Sequence, residues 1–231
     1  MSVLKPVTGK RPKLIGTDLD GTIVAHYGFI SERTKIAFTA AHEAGIHIYF
    51  VTGRPIRWMS EIKENFNFGT GICANGAMLY DFINQKVLEQ WLFSVENQLE
   101  TVKRLREVIP LVNFAVEIDE QFHREKDYLA RWDIGIDNVG VNKIEEVINK
   151  PALKMLARCG DASMSSDEMM SAATKALVGI ATVTHSNSTD SLLEISADGV
   201  SKGATLSKMA ERLGITSEDC VSFGDNPNDF P

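Results

Sequence analysis

Leu14-Ile15-Gly16-Thr17-Asp18-Leu19-Asp20-Gly21-Thr22-Ile23 is the stretch of sequence that decides the fold of this chain. Apolar residues lead into two aspartates separated by one residue, and a Gly-Thr turn follows. We interpret this pattern as a buried strand with two carboxylates at its carboxyl end. Carboxylates at such a point are costly unless a cation lies between them. The stretch therefore predicts a bound cation and chemistry on an anion.

The composition limits the classes of protein that fit. The chain has 231 residues, of which 44% are hydrophobic and 24% charged, as in a soluble globular protein of one or two domains. Its formal net charge of −7 argues against nucleic acid or an anionic membrane as partners. The three cysteines lack metal-site spacing, and no apolar run approaches the length of about 20 residues that spans a bilayer. We therefore expect a cytoplasmic protein without a disulfide framework.

Strand and helix patterns alternate in the first third of the chain. After a loose leader over residues 1–12, three apolar runs indicate strands at residues 14–18, 46–51 and 71–74. Helices are predicted between them, one after Ser31 and one from Pro55. This order predicts an α/β fold, a Rossmann-like parallel sheet covered by helices.

The pattern changes after residue 76 and resumes near the end. A hairpin, two amphipathic helices and several short strands indicate an α+β insert, in which the polar segment 127–150 is hard to assign. The alternation returns with a helix after Ser201 and a strand at residues 220–223. We therefore predict a core formed by residues 1–79 and 197–231, with an inserted α+β cap formed by residues 80–196.

Four polar tips follow the predicted strands or begin a helix. They are Asp18-Leu19-Asp20-Gly21-Thr22, Thr52-Gly53-Arg54, Lys202, and the segment 224–229. Because the carboxyl ends of parallel strands share one edge of a sheet, we expect these tips to meet. Their carboxylates would repel one another unless a hard divalent cation such as Mg²⁺ bound between them. Lys202 at a helix N-terminus is suited to a phosphate.

These motifs, in this order, resemble the haloacid dehalogenase superfamily of phosphatases, and more narrowly the Cof-type hydrolases that carry a C2-type cap. The resemblance covers nearly the whole chain. It is carried by five matches to the family's motifs: Asp18, Asp20, Gly21 and Thr22 in DxDGT; Thr52, Gly53 and Arg54 in TGR; Asn75, Gly76 and Ala77 in NGA; Ser201, Lys202 and Gly203 in SKG; and Gly224, Asp225, Asn228 and Asp229 in GDxxND.

The resemblance implies a role for each matching residue. Asp18 would be the nucleophile that forms an aspartyl-phosphate, and Asp20 the acid and base. The implied Mg²⁺ ligands are Asp18, the backbone carbonyl of Asp20, Asp225 and Asp229. Phosphate and substrate would be bound by a further set of residues: Thr52, Gly53, Arg54, Asn75, Lys202 and Asn228. Two alternatives stay open. Arg54 is equally typical of a surface residue near the start of a helix, and Asn75 is equally typical of a residue that only shapes a turn.

The function that the resemblance implies is hydrolysis of small phosphorylated metabolites, sugar phosphates first, by a Mg²⁺-dependent phosphatase. A phosphomutase would use the same chemistry with a sugar hydroxyl as acceptor. The third alternative is a catalytically impaired protein that binds phosphorylated ligands. It arises because the sequence stops two residues after Asp229, whereas family members continue with a helix and at least one strand. We expect the natural chain to extend past Pro231.

Overall fold

A computed structural model describes residues 9–25, 28–130 and 137–229 of the chain. Residues 1–8 of the predicted leader and residues 131–136 of the unassigned polar segment lie outside this description. The helices and strands of the described residues are β1 (Leu14–Thr17), α1 (Glu32–Glu43), β2 (His47–Val51), α2 (Ser60–Asn65), β3 (Thr70–Cys73), β4 (Met78–Asp81), β5 (Lys86–Gln90), α3 (Val95–Val108), β6 (Val112–Ile118), β7 (Gln121–Arg124), β8 (Lys154–Cys159), α4 (Ser166–Ala176), β9 (Ala181–Thr184), β10 (Leu192–Ala197), α5 (Lys202–Arg212) and β11 (Cys220–Phe223).

The strands form two sheets. The first has the order β11-β1-β2-β3-β4-β5, and its first four strands are parallel. The second has the order β7-β6-β8-β10-β9 and is antiparallel throughout. The prediction of a parallel-sheet core with an α+β insert is therefore confirmed. None of the helices that the structure describes is long and apolar enough to cross a membrane.

Serine side chains fix where the main helices begin. Ser31, Ser94, Ser165 and Ser201 precede α1, α3, α4 and α5, and each side-chain oxygen accepts a hydrogen bond from a backbone amide in the first turn. Such caps satisfy amides that have no partner within the helix. The cap at Ser201 matters most for function, because it places Lys202 at the start of α5.

Two predicted elements differ from the structure. The hairpin of β4 and β5 pairs antiparallel with β3 and so extends the first sheet, whereas the prediction assigned residues from 80 onward to the insert. The turn at Asn75-Gly76 is too short for a crossover, so the chain folds back beside β3. We therefore propose that the cap starts after Gln90. The helix predicted from Pro55 is also divided, into a 3-10 turn at Ile56–Trp58 and α2.

Each sheet has its own apolar core. The core beneath the first sheet includes Phe50, Met59, Ile62 and Phe66, which are almost fully buried. The core of the cap lies between the second sheet and helices α3 and α4, with Val102, Leu105, Phe114, Met155 and Met169 inside it. The other face of the cap sheet is directed toward the strand ends of the first sheet. The site described next lies between these two surfaces.

Candidate active site

Asp18 and Lys202 form a buried ion pair at the carboxyl end of β1. The backbone amide of Asp18 donates to the carbonyl of Phe223 at 2.8 Å, which holds it beside the end of β11. The Lys202 Nζ donates to Asp18 Oδ1 and to Asp229 Oδ1, each at 2.7 Å. Asp18 is 4% exposed and Lys202 5%. Burial raises the pKa of Asp18 to about 6, although the charge of Lys202 acts in the opposite direction.

Three aspartates of the predicted metal site come together. Carboxylate oxygens of Asp18, Asp225 and Asp229 lie within 4.8 Å of one another. The other oxygen of Asp229 accepts from the backbone amides of Asp225 and Asn226, each at 3.0 Å, which fixes the loop after β11. The Thr22 hydroxyl donates to Asp225 Oδ1 at 3.2 Å and ties this loop to the turn after β1.

The chemistry of this cluster fits a hard divalent cation. All of its donors are carboxylate oxygens, the ligands that Mg²⁺ prefers. Asp18 Oδ2 is buried and has no hydrogen-bond partner among the described residues. A buried carboxylate oxygen without a donor is costly, and a bound cation would remove that cost.

The ends of β2 and β3 are joined by backbone and side-chain hydrogen bonds. The Thr52 hydroxyl accepts from the backbone amide of Arg54 at 3.0 Å. The backbone amide of Asn75 donates to the carbonyl of Thr52 at 3.0 Å. Asn75 has φ 56° and ψ 34°, a left-handed conformation that asparagine adopts more readily than most residues. The predicted phosphate-binding residue Thr52 is buried within this turn.

Arg54 is directed to Asp20. Both carboxylate oxygens of Asp20 accept from its guanidinium, Oδ2 at 2.9 Å from Nε. Nη1 also donates to the carbonyl of Trp58 at 3.3 Å. The structure thus brings these two predicted residues together at the rim of the site, where Asp20 is exposed. Asn228, the last predicted residue, is buried, and its Oδ1 has no hydrogen-bond partner among the described residues.

A cavity of about 600 Å³ joins these residues to the cap. This volume lies within the usual range of small-molecule sites. Its core side includes Asp18, Asp20, Gly53, Arg54, Lys202, Asp225 and Asn228. Its cap side includes Glu117, Lys154, Leu156, Arg158, Asn187 and Glu194. Ten sequence-predicted residues were named for the site. Seven of them line this cavity, whereas Thr52, Asn75 and Asp229 are not among its lining residues.

The structure adds cap residues that the sequence analysis did not name. Glu194 accepts from the side chains of Lys154 and Asn75, each at 2.8 Å. The Lys154 Nζ also donates to the carbonyl of Gly53 at 2.8 Å. Asn75 therefore connects the core with the cap, and a direct contact with substrate stays a prediction. The missed signal was a pair of charged residues four positions apart, and so on one face of an otherwise apolar strand, as in Lys154-Met155-Leu156-Ala157-Arg158.

A second ion pair joins the cap to the core. Arg57 donates to both carboxylate oxygens of Glu117, from Nη1 and Nη2, each at 2.7 Å. Glu117 is buried on β6, and Arg57 lies in the 3-10 turn after β2. Parallel bonds of this kind fix the relative orientation of both groups. Two groups of contacts thus join the cap to the core, those of Lys154 and Glu194 and that of Glu117 with Arg57.

The fold and the site together define a class of α/β proteins in which a cap covers acidic strand ends of a mainly parallel sheet. The sequence profile of the haloacid dehalogenase-like hydrolases matches residues 15–231. The chain belongs to this family, as its motifs predicted. The predicted enzyme class, a phosphoric monoester hydrolase, is supported by relatives that bear phosphatase names.

Similar proteins include one named relative and two solved structures. The chain is 24% identical over 227 residues to 5-amino-6-(5-phospho-D-ribitylamino)uracil phosphatase YcsE of Bacillus subtilis, across 94% of this chain and 78% of the relative. The structure of the phosphatase BT1666 from Bacteroides thetaiotaomicron has a TM-score of 0.75 at 21% identity and covers 100% of this chain and 84% of that one. The subclass IIB sugar phosphatase BT4131 has a TM-score of 0.69 at 22% identity, over 94% and 82% of the two chains.

Proposed function

We propose that the chain is a Mg²⁺-dependent phosphatase of small phosphorylated metabolites that acts through an aspartyl-phosphate. The observation that carries this proposal is the environment of Asp18. One of its oxygens is held by Lys202 at 2.7 Å, and the other is buried without a hydrogen-bond partner among the described residues. Lys202 therefore fixes the orientation of this carboxylate, and with the cation on one of its oxygens the other oxygen would attack phosphorus.

Asp18 is the proposed nucleophile. Its carboxylate attacks phosphorus as the bond from phosphorus to the ester oxygen breaks, and water then hydrolyses the acyl phosphate to inorganic phosphate. Lys202 is suited to bind a phosphoryl oxygen as well as Asp18. Its ammonium has three donors, and only two of them are used, by Asp18 and Asp229. The Thr52 hydroxyl would donate to another phosphoryl oxygen. Such contacts stabilise charge in the transition state.

The proposed metal ligands are the carboxylates of Asp18, Asp225 and Asp229 and the backbone carbonyl of Asp20. Mg²⁺ bound there would supply Lewis-acid stabilisation of the phosphoryl oxygens. The support is the cluster of three carboxylates within 4.8 Å. Thr22 and the two loop amides that bind Asp229 hold these ligands in place.

Asp20 is the proposed acid and base. It can protonate the leaving oxygen only when its ion pair with Arg54 opens, because both of its oxygens accept from that guanidinium. A substrate oxyanion that attracted Arg54 would release Asp20. Arg54 therefore belongs to the proposed substrate-binding residues, together with Gly53, Asn75 and Asn228.

The proposed substrates follow from the relatives and from the cavity. YcsE is named for a phosphorylated ribitylaminouracil and BT4131 as a sugar phosphatase, so esters with a polyhydroxylated chain are the first class to test. We also propose that the protein acts in the cytoplasm, since Cys73, Cys159 and Cys220 are free thiols, as is usual in a reducing compartment.

Phosphate release from a panel of sugar and sugar-alcohol phosphates, measured with Mg²⁺ and with EDTA, tests the proposal. We expect turnover with Mg²⁺ and none for Asp18→Asn. Asp219→Asn is a matched control, because Asp219 is also buried but pairs with Lys10 and Lys13 away from the site. It should retain turnover. Inactivity toward the whole panel would contradict the proposal, and an isomerised product without phosphate release would identify a phosphomutase.

A further inference from the structure

The cap wall of the cavity carries a charged residue at each end of an apolar stretch. Along β8, Lys154, Leu156 and Arg158 line the cavity, whereas Met155 and Ala157 lie in the cap core. Lys154 contacts the carbonyl of Gly53, next to the proposed phosphate-binding residue. Four residues of a strand span roughly 13 Å. Arg158 therefore lies at the end of this wall that is remote from the phosphate-binding turn.

The side chain of Arg158 is fixed but has an unused edge. It is 7% exposed, and its Nη1 donates to the carbonyl of Asp190 at 2.8 Å. Its guanidinium carbon lies 5.7 Å from the centroid of the Tyr128 ring, and Tyr128 is itself buried. Nε and Nη2 are buried and have no hydrogen-bond partner among the described residues. These two nitrogens form one edge of the guanidinium. Both N–H groups of that edge are therefore available to donate to the same two-oxygen anion.

The other basic side chains that line the cavity already have acidic partners. Lys154 pairs with Glu194, Arg54 pairs with Asp20, and Lys202 bridges two aspartates. The buried Glu117 is likewise engaged, by Arg57. Among the described cations of the cavity, Arg158 is thus the one with buried donors to spare. A buried cation with unused donors is unfavourable unless a ligand supplies the acceptors.

We propose that Arg158 is a specificity-determining residue that binds a carboxylate or a second phosphate at the far end of the substrate's leaving group. A two-oxygen anion matches the spacing of Nε and Nη2. The Tyr128 hydroxyl interacts with the Arg158 guanidinium, so it would add a donor to the same anion. This inference rests on the proposed function, because the phosphoryl group must lie at Asp18 for the leaving group to extend along β8.

Three phosphate esters of the same chain length test this inference. Sorbitol 6-phosphate ends in a neutral hydroxymethyl group, 6-phosphogluconate in a carboxylate, and sorbitol 1,6-bisphosphate in a second phosphate. We expect kcat/KM for one of the two acidic esters to exceed that for sorbitol 6-phosphate by about tenfold or more, as for a charged bidentate contact. Which acidic ester is preferred distinguishes a carboxylate from a phosphate.

Variants of Arg158 assign that preference to its side chain. In Arg158→Gln the ratio of acidic to neutral ester should fall to about one, mainly through KM, and this ratio cancels any general loss of activity. Arg158→Lys keeps the charge without the bidentate edge and should retain only part of the preference, which provides a reading if the glutamine variant does not fold. Arg212→Gln is the control, since Arg212 pairs with Glu89 outside the cavity, and it should keep the wild-type ratio.

Two outcomes overturn the inference: equal kcat/KM for the three esters in the wild type, or an unchanged preference in both Arg158 variants. Inactivity toward every ester, including p-nitrophenyl phosphate, would contradict the proposed function instead. Calorimetric binding of the three esters to Asp18→Asn then replaces turnover. Tighter binding of an acidic ester that is lost when Arg158→Gln is added supports the inference, and equal binding of all three overturns it.

Discussion

Replacing Asp18 with asparagine should remove a pH dependence of stability from the metal-free protein. Asp18 is 4% exposed, and its burial raises its pKa from the ordinary 3.8 to about 6. The folded protein therefore holds this proton more tightly than the unfolded chain does. Folding takes up a proton between those two pH values, so the free energy of unfolding falls as the pH rises.

The magnitude follows from the two pKa values. The contribution of Asp18 is complete below its unfolded pKa of 3.8 and is lost as the pH passes about 6. Between pH 4.5 and pH 7, linkage gives a loss of about 2 kcal/mol. Asp219 titrates with the opposite sign, since Lys10 and Lys13 lower its pKa. Its contribution is the same in the wild type and in Asp18→Asn, so the difference between the two proteins isolates Asp18.

Urea unfolding in EDTA at pH 4.5 and at pH 7 measures this difference. The wild type should lose about 2 kcal/mol more than Asp18→Asn between the two conditions. Asp219→Asn serves as the control, because its pKa, lowered from 3.8, lies below both pH values, so its removal should leave the loss close to that of the wild type. Equal losses in the wild type and in Asp18→Asn would refute the reasoning about Asp18.

Three further predictions concern the metal, the contact between cap and core, and one glycine. Mg²⁺ at 100 times its dissociation constant should stabilise the protein by about 2.7 kcal/mol, a rise in Tm of several degrees over EDTA, and an unchanged Tm would count against a formed site. Glu194→Gln should lower the free energy of unfolding in urea by about 3 kcal/mol, since it leaves Lys154 buried without an anion. Adding Lys154→Met should recover part of that loss. Additive losses from the two substitutions would contradict the coupling between these side chains. Gly76→Ala should lower the free energy of unfolding more than Gly214→Ala does. Both glycines have positive φ, but a Cβ would overlap the backbone of Ser201 at Gly76 and would meet no atom at Gly214. Equal free energies of unfolding for the two variants would contradict this prediction.

The core and the convergence of its polar strand ends could be predicted from the sequence because each signal is local. A strand that ends in Asp18, a serine that caps the helix of Lys202 and a strand that ends before Asp225 are each readable from neighbouring residues. The rule that parallel strands share one carboxyl edge then brings them together. The structure shows the same convergence, with the Lys202 ammonium 2.7 Å from Asp18 and from Asp229.

The wall of the cap could not be predicted in the same way. Lys154, Arg158 and Glu194 acquire their environment only from the antiparallel register of β8 and β10 and from the side of the cap that faces the core. Neither is encoded in a local motif. The hairpin of β4 and β5 was misassigned for a related reason, since its pattern of alternating residues suits either sheet and only its pairing with β3 decides between them.

The central claim is that Asp18 carries the phosphoryl group during turnover, and one measurement tests it most directly. The enzyme is mixed with a phosphate ester in the presence of Mg²⁺, quenched in acid within one turnover and analysed by mass spectrometry of its peptides. The account predicts one added phosphoryl group on the peptide that contains Asp18, and no such addition in Asp18→Asn. Turnover of the ester by Asp18→Asn, or a phosphoryl group on another residue in the wild type, would contradict it.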